Sequence, residues 1–178
     1  MAKKRKQNKK EARKKGFFNY IKTESNIKKL NWKVFIICLI IVALVAFIGS
    51  LFTNVGAWYE SVKPSFAPPN IVFPIVWTFL FYLIAVSLYY SWTESEAKNK
   101  KKVALYYGIN FILNILWSFI FFTTQSPRLA LLEILILWVS ILYLIAFNWR
   151  KSRKAAYFLI PYFLWVTFAI ILNYFAIP

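Results

Sequence analysis

Few side chains in this sequence are suited to acid–base, nucleophilic or metal chemistry. Among the 178 residues there is no His, and all six acidic residues are Glu. Without imidazole or aspartate, Ser-His-Asp catalysis, Cys-His catalysis and a histidine-based metal or haem site are excluded. Cys38 is the single cysteine, which excludes an internal disulfide and a CxxC pair, and we interpret it as a buried structural thiol. Ordinary hydrolase or dehydrogenase chemistry has almost no residues to use.

Glu133 is the one ionisable group well inside an apolar segment of the chain. A carboxylate within a membrane is costly and is by default a candidate functional residue. Arg128 lies little more than one helical turn earlier, near the expected outer interface, so snorkelling or pairing with Arg128 is an equally good interpretation. We do not assign Glu133 a catalytic role.

Aromatic residues make up 21% of the chain, and some are spaced to share a helix face. Phe73, Trp77 and Phe81 follow one another at intervals of four residues. Such a face offers apolar walls and stacking surfaces to a flat conjugated ligand such as a tetrapyrrole, whose propionates could reach Lys63 or Arg128. From composition alone, an aromatic stripe is more often core packing.

Two further stripes mix amides with aromatic side chains. The first contains Asn110, Asn114, Trp117 and Phe121, and the second contains Tyr162, Trp165, Ala169 and Asn173. Amides in hydrocarbon must find partners, and an interhelical hydrogen bond is worth about 0.6 kcal/mol on average. We therefore interpret Asn114 and Asn173 as contacts between helices, and the small Ala169 as a point where a helix or a ligand approaches closely.

Helices must position these residues, and the distribution of charge shows where the helices lie. With 60% hydrophobic and 16% charged residues, the composition is that of an integral membrane protein. Five windows with at most one charge each supply the 20 or so apolar residues that a spanning helix needs. The predicted helices cover residues 34–51, 72–91, 103–122, 129–149 and 156–175. The predicted fold is an all-α bundle of five transmembrane helices.

The basic residues predict the orientation of the bundle. Along the chain, the segments outside the helices contain 13, 1, 4, 1, 4 and 0 Lys or Arg residues in turn. The positive-inside rule then places the N-terminus inside and the C-terminus outside, as suits a bacterial cytoplasmic membrane. Residues 1–33 form a predicted disordered basic tail before the membrane domain 34–178. We interpret the tail as enforcing topology, with binding to anionic lipid, or to RNA or the ribosome, as alternatives.

Residues 53–70, between the first two predicted helices, are unusually rich in aromatic residues and proline. They include Trp58, Tyr59, Phe66, Pro64, Pro68 and Pro69. Prolines favour an extended backbone, and aromatic residues near a membrane interface usually act as anchors. Their density in this segment instead favours a lid over a cavity between the helices.

These groups occur in an order and spacing that resemble the TspO/MBR family, the tryptophan-rich sensory and translocator proteins. The matching groups are Trp58-Tyr59, Lys63-Pro64-Ser65, Pro68-Pro69, Phe73, Val76-Trp77-Thr78, Asn110, Asn114, Trp117-Ser118, residues 130–138 with Glu133, Ile160-Pro161-Tyr162, Trp165 and Leu172-Asn173. The resemblance extends from about residue 52 to residue 175. Phe66 departs from it, because the family usually has Trp at this position.

The resemblance implies a membrane receptor or sensor that binds porphyrins or isoquinoline-type drugs inside the bundle, beneath the first loop. With the stripes above, the expected ligand-binding residues are Trp58 in the lid and Phe73, Trp77, Phe81, Asn110, Trp117, Phe121, Tyr162, Trp165 and Ala169. The porphyrin is expected as a ligand, with no required cofactor and no metal. Membrane lipid and a second copy of the chain, in a homodimer, are the other expected partners.

Two alternative functions remain open. One is light-dependent degradation of porphyrin, in which Trp77 and Trp165 would be redox-active neighbours of the excited ligand. The other is transport of a small hydrophobic molecule. Five helices do not form the even inverted repeat that is common in transporters, which makes transport the weaker alternative.

Overall fold

A computed structural model describes residues 30–178, and the predicted basic tail lies outside the described residues except for residues 30–33. Five helical segments are long and apolar enough to cross a membrane. The helices are α1 (Trp32–Phe52), α2 (Ala57–Val62), α3 (Val72–Glu94), α4 (Lys100–Ser118), α5 (Pro127–Trp149) and α6 (Arg153–Phe175). No strand occurs in residues 30–178. The predicted fold class is confirmed, whereas the orientation of the termini across the membrane stays a prediction.

Local sequence signals explain how α5 and α6 form an antiparallel pair. Pro127 occupies the first turn of α5, where its missing N–H leaves no helical hydrogen bond unmade. Ser152 caps α6, since its Oγ accepts a hydrogen bond of 3.2 Å from the N–H of Ala155. The connection between the two helices is short, so they pack against each other along their length. Pro161 lies inside α6, as membrane helices tolerate.

The helix α4 does not end as a regular α-helix, whereas the prediction was a regular helix over residues 103–122. Residues Phe119–Thr123 form a π-helical turn, which extends α4 toward the next connection. Gln125 then adopts a left-handed backbone conformation with φ of 51°, and α5 begins two residues later. Wide turns of this type often occur at functional sites. Here the turn carries Phe121 and Phe122 to the segment between α1 and α3.

The segment between α1 and α3 is not extended throughout, so that part of the prediction was wrong. Residues Ala57–Val62 form the short helix α2. Lys63 ends α2 with extended dihedral angles (φ −64°, ψ 125°), as expected for a residue that precedes proline. A turn follows, closed by a 2.9 Å hydrogen bond from the N–H of Ala67 to the carbonyl of Pro64. The prolines therefore act as helix stops and turn formers.

The burial of side chains distinguishes the interior of the bundle from the surface that faces lipid. Cys38 is buried and unpaired, which confirms its predicted structural role. α1 exposes many of its large apolar side chains, including Ile37, Ile40 and Phe47. In a membrane this apolar surface faces hydrocarbon, so apolar side chains on the outside of the bundle are the normal arrangement.

Candidate functional site: an aromatic cavity beneath the first loop

A cavity of about 340 Å³ lies inside the bundle, bordered by the segment between α1 and α3. Most of its lining side chains are apolar or aromatic, and all five long helices contribute to it. The lining includes Ala46 and Gly49 from α1, Trp77 and Phe81 from α3, Trp117 from α4, Leu137 from α5, and Trp165 and Ala169 from α6. Cavities of this type suit hydrophobic ligands that need only a few polar contacts for orientation.

One wall of the cavity is lined with aromatic rings from α3 and α6. The ring centroids of Trp77 and Phe81 are 5.4 Å apart and tilted, and those of Phe73 and Trp165 are 6.0 Å apart, edge to face. The intervals of four residues on α3 place Phe73, Trp77 and Phe81 on one face, as the sequence predicted. This wall offers several ring surfaces to a flat ligand.

A second aromatic pair comes from the end of α4. The rings of Trp117 and Phe121 are stacked, with centroids 5.2 Å apart and an interplanar angle of 21°. The indole N–H of Trp117 donates to the side-chain carbonyl of Asn173 at 3.1 Å, and the Asn173 amide donates to the carbonyl of Pro127 at 2.8 Å. These two hydrogen bonds join α4, α6 and α5 and hold Trp117 in one orientation. They confirm the predicted role of Asn173 between helices.

The structure brings most of the predicted ligand-binding residues to this cavity. Seven of the ten line it: Phe73, Trp77, Phe81, Trp117, Phe121, Trp165 and Ala169. Trp58, Asn110 and Tyr162 do not border it. Whether the seven residues bind a ligand stays a prediction.

Asn110 and Tyr162 lie behind the aromatic wall in a buried hydrogen-bond network. The amide of Asn114 donates to the Tyr162 hydroxyl at 3.0 Å, and that hydroxyl donates to the Asn110 carbonyl at 3.4 Å. Asn110 in turn donates to the Ser140 hydroxyl at 2.8 Å. The Tyr162 ring contacts Trp77 edge to face at 6.2 Å, so the network braces the cavity wall from behind. Asn114 joins two helices as predicted, and it also lines the cavity.

Trp58 was predicted to lie in the lid, but its neighbour Tyr59 is the residue that borders the cavity. Trp58 is half-buried and contacts the ring of Phe121 at 5.5 Å, edge to face. Tyr59 is buried and contacts Phe122. The helical conformation of α2 decides which of the two rings turns inward, and no sequence pattern predicted that helix.

Polar side chains close the segment between α1 and α3. The Asn70 amide donates to Glu60 at 2.6 Å, and the Lys63 ammonium donates to Glu60 and to the Asn70 carbonyl, each at 3.1 Å. The hydrogen bonds from Asn70 and Lys63 hold the pKa of Glu60 below its ordinary value. We call this network of Glu60, Lys63 and Asn70 the loop clasp; it ties α2 to the start of α3 beside the cavity.

Comparison with known proteins agrees with this geometry. A model of the TspO/MBR family matches residues 37–177, which include every residue that lines the cavity. The chain belongs to the TspO/MBR family.

Named relatives match most of this TspO/MBR chain. The Tryptophan-rich protein TspO of Archaeoglobus fulgidus is 38% identical over 136 residues, covering 75% of this chain and 88% of the relative. The Tryptophan-rich protein TspO of Chlorobaculum tepidum is 39% identical over 143 residues, covering 78% and 90%. The Translocator protein of Bos taurus is 32% identical over 139 residues, covering 74% and 81%.

Sequence reasoning missed the contribution of α1 to the cavity of this TspO/MBR protein. The lining residues of α1 and its C-terminal end are Ala46, Gly49, Ser50 and Thr53. They are small and recur at i, i+3, i+4 and i+7, which is the spacing of one helix face. That stripe of small residues was the available signal, because small side chains leave room between α1 and its neighbours.

Glu133 is buried in the bundle, with 5% of its surface exposed. Neither carboxylate oxygen has a hydrogen-bond partner among residues 30–178. Arg128 is exposed and forms no ion pair with it. The interpretation that Glu133 snorkels or pairs with Arg128 was therefore wrong, since its position on α5 directs the side chain into the bundle.

Proposed function

We propose that this chain is a membrane receptor or sensor that binds a tetrapyrrole, or a similar flat hydrophobic molecule, in the cavity. The observation that carries the proposal is the pairing of two aromatic surfaces around one apolar space. Phe73, Trp77 and Trp165 form one surface, and stacked Trp117 and Phe121 form the other. A flat conjugated ligand between them would gain stacking as well as burial.

The size of the cavity sets an expectation about the ligand. A volume of about 340 Å³ is near the lower end of the range of about 300–1,000 Å³ that is common for small-molecule sites. A drug-sized flat molecule is therefore expected to fit beneath the loop. A tetrapyrrole is larger, so we expect its propionate edge to extend toward the loop, where Lys63 supplies a positive charge.

The loop supports a role in enclosing the ligand. Val55, Tyr59, Ala67 and Asn70 all border the cavity, and Asn70 is also a member of the loop clasp. Opening the clasp would free Asn70 to move away from the cavity. The names of two kinds of relative, a tryptophan-rich protein and a translocator protein, are compatible with a receptor for a hydrophobic small molecule.

Titration with protoporphyrin IX in the dark tests the proposal. We expect saturable quenching of tryptophan fluorescence in the detergent-purified protein, at least tenfold weaker in affinity for Trp77→Ala because one stacking surface is lost. Trp77→Phe, which keeps a ring, should retain most of the affinity. Trp149→Phe is the matched control, since Trp149 lies at the far end of α5 and does not line the cavity. Linear quenching that ignores Trp77→Ala would mean that porphyrin only partitions into detergent.

Light-dependent degradation of porphyrin is a second candidate, favoured by the presence of both Trp77 and Trp165 in the cavity lining. Dissolved oxygen would be the oxidant: the excited porphyrin takes one electron from an adjacent indole and passes it to oxygen, and the indole radical then recovers an electron from the porphyrin. The net result is that the porphyrin is oxidised by one electron and oxygen is reduced. Illuminating the titrated sample separates the two functions. A degrading enzyme bleaches porphyrin absorbance in proportion to protein, and Trp77→Phe with Trp165→Phe should abolish bleaching while sparing binding. Bleaching that persists in the double variant excludes this mechanism.

A further inference from the structure

The carboxyl group of Glu133 lies in surroundings that do not stabilise a negative charge. Its helix, α5, packs against α4, the π turn that follows α4, and α6. Both carboxylate oxygens are buried, and no donor among the described residues reaches them. A charge in such a place is strongly disfavoured, whereas a neutral carboxylic acid is far less costly to bury.

The neighbouring helices present no cation to Glu133. From α6, Tyr162 lies within electrostatic range of Glu133, and its hydroxyl is hydrogen-bonded to Asn110 and Asn114. On α5, Ser140 lies two turns after Glu133 on nearly the same side and accepts from Asn110, so that side of α5 faces α4. The π turn Phe119–Thr123 contains no titratable residue.

The position of Glu133 connects it to the cavity. Ile134 and Leu137, one and four residues later on α5, both line the cavity, although Glu133 itself does not. From α6, Tyr162 contacts Trp77 of the aromatic wall and also lies within electrostatic range of Glu133. Glu133 is therefore next in sequence to a residue that lines the cavity and shares a neighbour with the aromatic wall, close enough to respond to what fills the cavity.

We propose that Glu133 is a proton-binding site whose protonation is linked to occupation of the cavity. The second half of this inference rests on the proposed function. The step is a simple protonation: the carboxylate takes one proton from solvent and becomes a neutral carboxyl group, with no electron transferred. An apolar ligand displaces water from the cavity, so the charged carboxylate loses nearby polar solvent and takes up a proton more readily. By reciprocity, the protonated protein binds the ligand more tightly.

Infrared difference spectroscopy of the ligand-free protein tests the proton site by itself. We expect a carboxylic-acid carbonyl band at neutral pH that shifts in D₂O, disappears in Glu133→Gln and changes frequency in Glu133→Asp. Glu60→Gln is the matched control and should leave the band unchanged, because Glu60 is exposed and hydrogen-bonded as a carboxylate. The absence of a protonated carboxyl band, or its persistence in Glu133→Gln, overturns the proposal.

Ligand affinity as a function of pH tests the linkage. The probe should be a neutral isoquinoline carboxamide, because the propionates of a porphyrin titrate themselves. Above neutral pH, where the ligand-free carboxyl group begins to lose its proton, we expect the affinity of the native chain to fall with rising pH, by up to about tenfold per pH unit, because binding then requires the uptake of one proton; at lower pH the affinity should be constant. Glu133→Gln, a permanent mimic of the neutral acid, should bind with an affinity that does not change with pH.

The two measurements separate the possible failures. Binding that is strong but independent of pH in the native chain overturns the linkage and leaves the proposed function intact. Failure of both probes, the carboxamide and protoporphyrin IX, to bind at any pH overturns the proposed function and with it the linkage. The infrared result then decides the proton site alone, since it needs no ligand. If Glu133→Gln does not fold, Glu133→Asp and the D₂O shift still assign the band.

Discussion

The two ends of the bundle bury similar polar side chains, but they pack around them differently. At the loop end, next to the connection between α1 and α3, Asn110, Asn114 and Tyr162 form a network behind an open cavity. The opposite end, which we call the closed end, has Ser87, Tyr107 and Asn148 in a second buried network, and none of them lines the cavity. The same chemical groups therefore brace a binding space at one end and fill the interior at the other.

The directions of the hydrogen bonds at the closed end follow from counting protons. Ser87 donates its single hydroxyl proton to the carbonyl of Ala155 at 2.7 Å, so Tyr107 must be the donor in its 2.6 Å bond to Ser87. The Asn148 amide donates to the Tyr107 oxygen at 3.2 Å. These hydrogen bonds join α3, α4, α5 and α6, so the helices have little freedom to separate.

Each end also leaves buried polar oxygens without a partner among the described residues. Away from the loop the groups are neutral, namely the hydroxyls of Ser91 and Ser95 and the carbonyl oxygen of Asn148, and at the loop end the group is the carboxyl group of Glu133. Burying a neutral amide oxygen costs far less than burying a charge. The loop end therefore contains the buried group that is the most costly to ionise, as expected of a functional site.

Replacing one alanine by phenylalanine at each end should produce the largest difference between the two ends. Ala155 is fully buried at the closed end, whereas Ala169 borders the cavity. We expect Ala155→Phe to destabilise the protein by about 1–3 kcal/mol or more, because the site has no space for a ring. Ala169→Phe should cost much less stability and abolish ligand binding by occupying the cavity. Thermal unfolding and protoporphyrin titration measure the two effects; equal destabilisation by both substitutions would contradict the comparison.

Removing one hydroxyl at each end should produce a smaller difference. Tyr107→Phe removes the hydrogen bond that Ser87 accepts and one of the two that the Asn148 amide donates, so we expect a loss of about 1–3 kcal/mol in the free energy of unfolding. Tyr162→Phe should lower the free energy of unfolding by less, since Asn114 borders the cavity and can form a hydrogen bond with water there. Tyr82→Phe, on the exposed face of α3, is the control. A larger loss for Tyr162→Phe than for Tyr107→Phe would mean that the cavity does not admit water.

The smallest expected effect concerns the loop clasp. Because Asn70 and Lys63 hold the pKa of Glu60 below its ordinary value of 4.5, the clasp is complete above that pH and is lost as the pH falls through the lowered pKa. We expect the dissociation rate of a neutral cavity ligand to rise about two- to fivefold in acid, since exposed ion pairs are weak. Glu60→Gln should raise the rate at neutral pH. Glu96→Gln, which breaks the exposed pair with Lys98 far from the loop, should not.

Much of the fold was predictable, because membrane helices are constrained by length and charge. The start of α3 at Val72 and the ends of α5 at Trp149 and α6 at Phe175 match the predicted bounds, and the other ends lie within a few residues. Helix bounds follow from local sequence, since each helix satisfies its own backbone within a membrane. The π turn at the end of α4 was not predictable, because its residues are ordinary apolar and aromatic ones.

The candidate site was predictable in part. Periodicity placed Phe73, Trp77 and Phe81 on one face, and the structure places all three in the cavity lining. Asn110 and Tyr162 lie on predicted stripes too, but they bond to each other behind the lining. A helical stripe indicates which residues face the interior, and it does not distinguish the surface of a cavity from the layer behind it.

The class of this protein can be inferred from its amino-acid sequence: the lengths and number of its membrane helices, the exclusion of histidine-based chemistry, and the aromatic faces directed inward. These properties depend on composition and on spacing along one helix. The three-dimensional structure was needed to show that a cavity remains at one end, that Tyr59 rather than Trp58 borders it, and that Glu133 is buried with no hydrogen-bond partner among residues 30–178. A void, or an unpaired buried group, depends on how side chains from several helices meet, and no single helix contains that information.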